Sequence, residues 1–465
     1  MTWEKDCDRL VARAGNLFAP QRKIYISRAP GRLDLMGGND DYTGGLVFEA
    51  TIREATWCAA QARTDNLVVL YNPQVRKQRW QERVVHPLSA LSGEDTTRDL
   101  ARGEGVRWTA YVLGVLLYLK QRYPQKVKTG VSLYLESDVP LNKGVSSSAA
   151  LEVAAMKAAA AAYEMDFEGV ELAESCQWAE NVIAESACGI MDQITSVSGD
   201  EQCILPLVCQ PCLPERLIRL PDRLRCWAVD SGVSHQVSGV EYEAARAAAF
   251  MGYKLICEWE DVPVQLDKTG AVPRWVDPRW NGYLANVPPS LFRAKYESRL
   301  PETMTGAQFG AGGREHVDPF TVMRPEVTYK IRANTRYAVE ENARVQMFAE
   351  LARGSAGSTS SRPFRLMGDI MYQSHHAYTE CGLGAEATDL LVDLAREEGS
   401  KSGIFGAKVT GGGAGGTVAI LGLETAEESF RNIVRKFGQM RGSEPYVFEG
   451  SSIGADKFGI VVREI

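Results

Sequence analysis

Histidine is scarce in this chain, with five in 465 residues. Two of the five, His375 and His376, are adjacent and so point to different faces of a helix, which argues against a histidine metal centre. The ten cysteines are too few at this length for a disulfide scaffold. Cys209-Gln-Pro-Cys212 is the only CxxC; it has no second pair at zinc-ribbon spacing and no thioredoxin-like context, so its thiols read as structural. No apolar run approaches the ~18 residues that a membrane helix needs. The opening residues, Met1-Thr-Trp-Glu-Lys-Asp6, lack the charged-then-apolar layout of a signal peptide, and a cytoplasmic protein away from membranes is expected. Positive charge is in deficit, with 52 Lys and Arg against 59 Asp and Glu and a net charge of −7. That balance argues against general nucleic-acid binding, yet leaves room for a nucleotide in a local positive pocket. A Walker-type phosphate loop is excluded, because G-x-x-x-x-G-K-[ST] occurs nowhere.

What is present is a soluble composition, 45% hydrophobic and 24% charged, on a chain long enough for two or three domains. The most informative stretch is Pro140-Leu-Asn-Lys-Gly-Val-Ser-Ser-Ser-Ala149. Val131, Leu133 and Leu135 alternate with polar residues before it and predict a strand. An alanine-rich run from Ala149 to about Tyr163 predicts a helix after it, with the alanines at 158–162 as one face. A Gly/Ser loop that opens onto a helix N-terminus suits a phosphate, because free N–H groups and the helix dipole converge there. Serine hydroxyls at the same point can reach a phosphate oxygen or its Mg²⁺. An ordinary serine N-cap is the alternative.

Two more segments carry chemistry. Arg28-Ala-Pro-Gly-Arg-Leu-Asp-Leu-Met-Gly-Gly-Asn-Asp-Asp-Tyr42 sets a cation and several acids beside flexible glycines. Gly406-Ala-Lys-Val-Thr-Gly-Gly-Gly-Ala-Gly-Gly416 is a turn whose backbone can approach a ligand closely. Gly411, Gly413 and Gly416 also fit G-x-G-x-x-G, but so late in the chain they do not open a dinucleotide domain. Between these segments, 22–63 reads as strand, loop, strand, and 104–121 and 170–183 as helices, closing a first domain near 205. The second domain, 206–465, reads as a strand at 225–229, helices at 240–259, 336–353, 365–379 and 386–398, and a strand-loop-strand at 403–421. Residues 260–330, rich in Pro, Gly and aromatics, read as an insertion with short helices, since Trp275, Trp280, Tyr283 and Phe292 would be costly to expose. The Gly/Ser run at 354–361 reads as a mobile loop.

Taken in order, the three segments resemble the three motifs of the GHMP kinases, and the chain is similar to the sugar kinases among them. Arg28 to Tyr42 resembles the galactokinase signature, and Gly189-Ile-Met-Asp-Gln193 resembles its catalytic segment. The runs Asp230-Ser-Gly-Val-Ser-His235, Ala248-Ala-Phe-Met-Gly252, Leu300-Pro-Glu-Thr-Met304 and Tyr378-Thr-Glu-Cys-Gly-Leu-Gly384 add a likeness to the arabinokinase-type members. The resemblance implies an α+β fold, with a ribosomal-S5-like N-terminal domain, a ferredoxin-like C-terminal domain and the active site between them. It implies ATP as co-substrate with Mg²⁺, and transfer of phosphate to the C1 hydroxyl of L-arabinose or, alternatively, D-galactose or a related sugar. A silent sugar sensor is the rival from another class; such proteins tend to lose residues that are all present here. The oligomeric state, monomer or homodimer, is left open.

Residue by residue, the resemblance implies phosphate and nucleotide contacts from Lys143, Gly144, Val145, Ser146, Ser147, Ser148 and Ala149. Ser148 and Glu180 would hold the metal; alone, Glu180 reads as a surface glutamate. Asp192 would be the base beside the attacking hydroxyl, with Arg32 stabilising charge; alone, Asp192 reads as a helix N-cap. Gly38, Asn39, Asp41, Gly189 and Tyr242 match sugar-contacting positions. Trp108 aligns near the adenine, and equally suits the core face of an amphipathic helix. One departure bears on the substrate. Galactokinases read Gly-Glu-His-Thr-Asp-Tyr where this chain reads Gly37-Gly-Asn-Asp-Asp-Tyr42. Gly38 and Asn39 thus replace the Glu and His near the C6 end of galactose. That suits L-arabinopyranose, which lacks the C6 hydroxymethyl group, or a bulkier C6 group given the space that glycine frees.

Overall fold

The computed structural model describes residues 3–234, 240–269, 273–355, 357 and 360–464. His235 of the second-domain run, and residues 356, 358 and 359 of the 354–361 run, lie outside the described residues.

The first sheet begins with β1 (Lys23–Met36), β2 (Leu46–Ala62), β3 (Leu67–Tyr71) and β4 (Arg83–Pro87). Helix α1 (Thr109–Arg122) precedes β5 (Val131–Ser137). Then come α2 (Ser147–Ala162), α3 (Gly169–Trp178), α4 (Met191–Ser198) and β6 (Cys203–Val208). Strand order is β1-β2-β5-β3-β4, with β6 pairing the start of β2; only β3 and β5 run parallel. The last strand of the chain, Val461–Glu464, returns to pair with the free edge of β1.

The second sheet is built from β7 (Leu224–Asp230), β8 (Ile404–Val409), β9 (Thr417–Leu423) and β10 (Val447–Phe448), in the antiparallel order β8-β9-β7-β10. Helices α5 (Val240–Trp259), α6 (Ile331–Gly354), α7 (Arg362–Cys381), α8 (Glu386–Glu398) and α9 (Glu427–Arg441) complete this half. Strands on two sheets with helices segregated around them make the fold α+β.

Several expectations shift. The first motif is not a loop: β1 runs on through Ala29, Gly31 and Arg32 to Met36, and only Gly37 to Gly45 turns. Gly31 lets this strand pass the phosphate loop, since a Cβ there would lie 2.6 Å from the Val145 carbonyl oxygen. The alanines of α2 are not one face. Nearly every side of α2 is buried, because it is wedged between β1, β2 and the neighbouring helices, and alanine permits that close approach. The helix expected over 104–121 starts at Thr109, and the one expected over 170–183 changes winding at Ala179–Ile183, which is a π turn. The described residues of 260–330 form short helices and two small ribbons; Trp280 and Phe292 are buried against α5 and α6, Tyr283 is buried beside Gly44, and Trp275 is half-buried.

Candidate active site

The phosphate-loop residues stand where strand β5 hands the chain to α2. Gly144 and Ser146 both adopt left-handed backbone, at φ +69° and +57°. Ser146 occupies the N-cap position of α2, yet its side chain makes no capping bond, and its buried Oγ has no partner. The ordinary N-cap reading therefore fails. The loop faces a cavity of about 360 Å³.

Arg32, on β1, is the hub of that cavity. Its Nε and Nη2 donate to Asp192 Oδ1 at 2.8 and 2.7 Å, and its Nη1 donates to the Gly144 carbonyl at 2.6 Å. Glu49 Oε2 lies 3.5 Å from Nε. Burial works against the guanidinium charge, but Asp192 and Glu49 overcome it and hold its pKa above the ordinary arginine value. Asp192 is the second residue of α4, not its N-cap.

Glu180 is buried, against its surface reading. The π turn carries it inward; such turns insert one residue and re-aim side chains. Burial, then the charge of Asp192, pushes its pKa up to about 7, while hydrogen bonds from Ser148 and Glu152 act the other way. Glu152 lies alongside, and burial and Glu180 push its pKa far up. Gln193 Nε2 donates to both glutamates, at 2.6 Å to Glu180 and 3.2 Å to Glu152.

Asp41 lies on the cavity wall within the turn. Burial, then Asp192, pushes its pKa up to about 7. Gly189 lies against it so closely that a Cβ would fall 1.9 Å from Asp41 Oδ2. That contact explains the glycine of Gly-Ile-Met-Asp. Beyond Asp41, Cys188 and Gly189 a smaller cavity of about 100 Å³ continues, walled by the insertion through Trp275, Tyr283 and Phe320. Arg246 closes it, paired through Nε and Nη2 with Asp318 at 2.8 and 2.9 Å and stacked 4.9 Å over the Tyr42 ring.

Of the residues singled out by sequence, Arg32, Asn39, Asp41, Trp108, Lys143, Gly144, Ser146, Ser147, Ser148, Glu180, Gly189, Asp192 and Tyr242 all line the larger cavity. Gly38, Val145 and Ala149 are buried and do not. Gly38 frees no space for a ligand, because the Tyr378 hydroxyl fills it: a Cβ there would sit 1.5 Å from that oxygen. Tyr378 accepts from the Asn39 N–H at 3.0 Å and donates to the Gly411 carbonyl at 2.7 Å. Asn39 spends its own amide on the Gly412 carbonyl at 3.2 Å. Trp108 serves both its readings, packing in the core with Nε1 bound to the Gln81 carbonyl at 3.0 Å while its ring borders the cavity.

The glycine turn joins β8 to β9 as a hairpin, which no dinucleotide motif does. It docks on the first motif through Lys408, whose Nζ reaches Asp34 Oδ2 at 2.6 Å with both side chains fully buried. The phosphate loop is tied to the same sheet by Lys143 on Asp230 at 2.8 Å and by Thr417 on the Lys143 carbonyl at 2.8 Å. Sequence reasoning assigned no role to Asp34, Lys408, Glu152 or Tyr378; Gln193 stood unused beside Asp192 in a quoted motif.

The donor set fits a divalent cation. Among the described residues no three acidic side chains are gathered to hold a metal by themselves, but Glu180 and Ser148 line the cavity together, and Asp192 is close enough to raise the Glu180 pKa. The buried oxygens Glu152 Oε1 and Gln193 Oε1 also lack partners. Hard oxygen ligands of this kind suit Mg²⁺, which takes one or two carboxylates and completes its shell from phosphate and water.

Comparison with known proteins gives three family matches along the chain. The profile described as "GHMP kinases N terminal domain" matches residues 110–200, "Galactokinase galactose-binding signature" matches 16–62, and "GHMP kinases C terminal" matches 348–439. The chain is 34% identical to L-arabinokinase of Arabidopsis thaliana across 98% of its own length, and spans about half (48%) of that relative. It is 31% identical to galactokinase of Chloroflexus aggregans, covering 87% of this chain and 85% of the relative. In structure it is similar to Lactococcus lactis galactokinase complexed with galactose, with TM-score 0.75, 19% identity and 99% and 100% of the two chains covered. It is also similar to Methanococcus jannaschii mevalonate kinase, with TM-score 0.57, 14% identity and 92% and 98% covered.

Proposed function

Since the chain belongs to the GHMP kinase family, we propose that it is an ATP-dependent sugar-1-kinase whose preferred acceptor is L-arabinose, giving L-arabinose 1-phosphate and ADP. The observation that carries the reading is the Arg32–Asp192 pair at 2.7 Å on the wall of a cavity that the serine loop also lines. Phosphoryl transfer asks for little covalent help from a protein. It asks that the phosphates be held, the acceptor oriented and the moving charge stabilised.

The backbone N–H groups of the loop from Lys143 to Ala149 hold the phosphates at the N-terminus of α2. The unpartnered Ser146 Oγ is free to donate to a phosphate oxygen. Trp108, fixed by its Nε1 bond, borders the base. Ser148 and Glu180 would hold Mg²⁺, which when bound offsets phosphate charge. Asp41, Gly189 and Tyr242 bind the sugar with its anomeric hydroxyl towards Asp192. The Asp192 carboxylate accepts that hydroxyl's proton as the oxygen attacks the γ-phosphorus. Arg32, already fixed by three acceptors, stabilises the charge shared between acceptor oxygen and phosphate without moving.

The arabinose preference is supported by the relationship to L-arabinokinase across 98% of the chain and by the departure at Gly38 and Asn39. Tyr378 fills the place beside Gly38, and Asn39 Nδ2 is bound to the Gly412 carbonyl, so neither position brings a charged partner to a C6 hydroxyl. A buried hydroxyl left unpaired costs about 1–3 kcal/mol, or roughly 5- to 150-fold in specificity. The galactose-binding signature over residues 16–62 favours D-galactose as the second reading. ADP release with a panel of sugars, followed by side-by-side kinetics, decides between them. L-Arabinose is expected to give the higher kcat/KM, with phosphate on C1. An equal or higher value for D-galactose makes the protein a galactokinase, and no turnover of any sugar removes the kinase reading.

A further inference from the structure

We propose that Gln193, together with Glu152, is a positioning residue that holds Glu180 in place for the divalent cation; this rests on the assignment of Glu180 to that cation. Three separate pieces of chain meet here. Ser148 and Glu152 stand one helical turn apart on α2 and share a face. Glu180 comes from the π turn after α3, and Asp192 and Gln193 are consecutive in α4. Being adjacent on a helix, the last two point in different directions. Asp192 lines the cavity, while Gln193 turns into the interior and is fully buried.

An amide nitrogen has two protons, and Gln193 directs its nitrogen at two carboxylates, Glu180 Oε2 at 2.6 Å and Glu152 Oε2 at 3.2 Å. Its own Oε1 has no partner, so the side chain serves only as a donor. One amide thus ties together two buried carboxyl groups that would otherwise repel. It fixes which oxygen of Glu180 faces the protein, and Ser148 on α2 lines the cavity with the same carboxylate. The requirement is narrow. Glutamate at 193 would add another carboxylate, and asparagine is one methylene too short to reach both partners. Such partners of a metal-binding carboxylate typically set affinity within about 10- to 100-fold.

The test measures metal binding directly. Mn²⁺ is titrated, with free ion read by electron paramagnetic resonance, into the full chain saturated with the β,γ-imido analogue of ATP. Q193M keeps the length and removes both donors; its Mn²⁺ dissociation constant should rise about 10-fold. The Mg²⁺ concentration for half-maximal rate should rise in parallel, and the rate at saturating Mg²⁺ should fall far less. E152A, which removes the second acceptor of Gln193, should weaken Mn²⁺ in the same direction as Q193M. Q193N, the gentler change should Q193M fail to fold, should weaken Mn²⁺ in the same direction. Unaltered Mn²⁺ binding in a folded Q193M or Q193N, alongside weakened binding in E180Q, overturns the positioning role alone. Unaltered binding in E180Q overturns the cation assignment and the proposal with it.

Discussion

At the scale of single residues, the site turns on carboxylates whose surroundings differ. Asp192 faces the cavity and is bonded by Arg32 through two nitrogens. Asp192→Asn keeps the shape and removes charge and basicity. The kcat should fall roughly 10²-fold or more with sugar affinity largely kept, as read from steady-state kinetics and equilibrium sugar binding. A folded variant with wild-type kcat would take Asp192 out of the chemistry. Asp41 differs because burial, then Asp192, pushes its pKa up to about 7. As a hydroxyl acceptor it works ionised, so sugar affinity should strengthen as pH rises from about 6 to about 8. Saturating Mg²⁺ and nucleotide would keep Glu180 ionised during that measurement, so the limb reports Asp41. Asp41→Asn should weaken sugar binding and abolish the limb; a limb that survives belongs to another group. The sign for folding is opposite. The native chain retains the Asp41 proton in the window from about pH 4 to about pH 7, where the unfolded chain has released it. This group's contribution to stability is therefore lost as pH rises through that window.

At the scale of elements, the decisive contact is between strand β1 and the hairpin β8–β9. Asp34 and Lys408 form a fully buried ion pair, and Asp34 also accepts from the backbone N–H groups of Gly38 and Gly411 at 3.2 and 3.3 Å. One carboxylate therefore sets both the turn that carries Asp41 and the glycine turn that touches Arg32. Lys408→Met leaves that carboxylate uncompensated and should cost about 3–5 kcal/mol in denaturant unfolding. Adding Asp34→Asn, which keeps an acceptor but removes the charge, should recover part of the loss. Equal stability of the single variant and the wild type would show that the pair does not clamp the two elements. Helix α2 illustrates the same scale in another way. Its alanines serve as spacers on nearly all sides, and their size lets Ser148 and Glu152 approach Glu180.

At the scale of the whole molecule, no helix of the described residues is long and apolar enough to cross a membrane, and all ten cysteines are unpaired. The cavity at the serine loop is bordered by segments from residue 32 to residue 412, so parts distant in sequence enclose it together. Local patterns fixed much of this in advance. Glycine placement, the serine loop between a strand pattern and a helix pattern, and the order of the three motifs identified phosphate chemistry, because backbone turns and helix ends depend on neighbouring residues. The helix at 386–398 was legible to the residue, and that at 240–259 to its C-terminal end, since patterning by near neighbours survives folding. Tertiary structure alone decided the rest, which depends on contacts between distant residues. Arg32 meets Asp192 across 160 positions, and Asp34 meets Lys408 across 374. Whether Glu180 faces water or the interior depended on one π turn. Whether Gly38 opened space depended on Tyr378, 339 or more positions away along the chain and arriving from another helix. A sequence states which side chains exist and how nearby backbone bends; what fills the space a glycine leaves, and which carboxylate is driven to hold its proton, follow only from packing and burial.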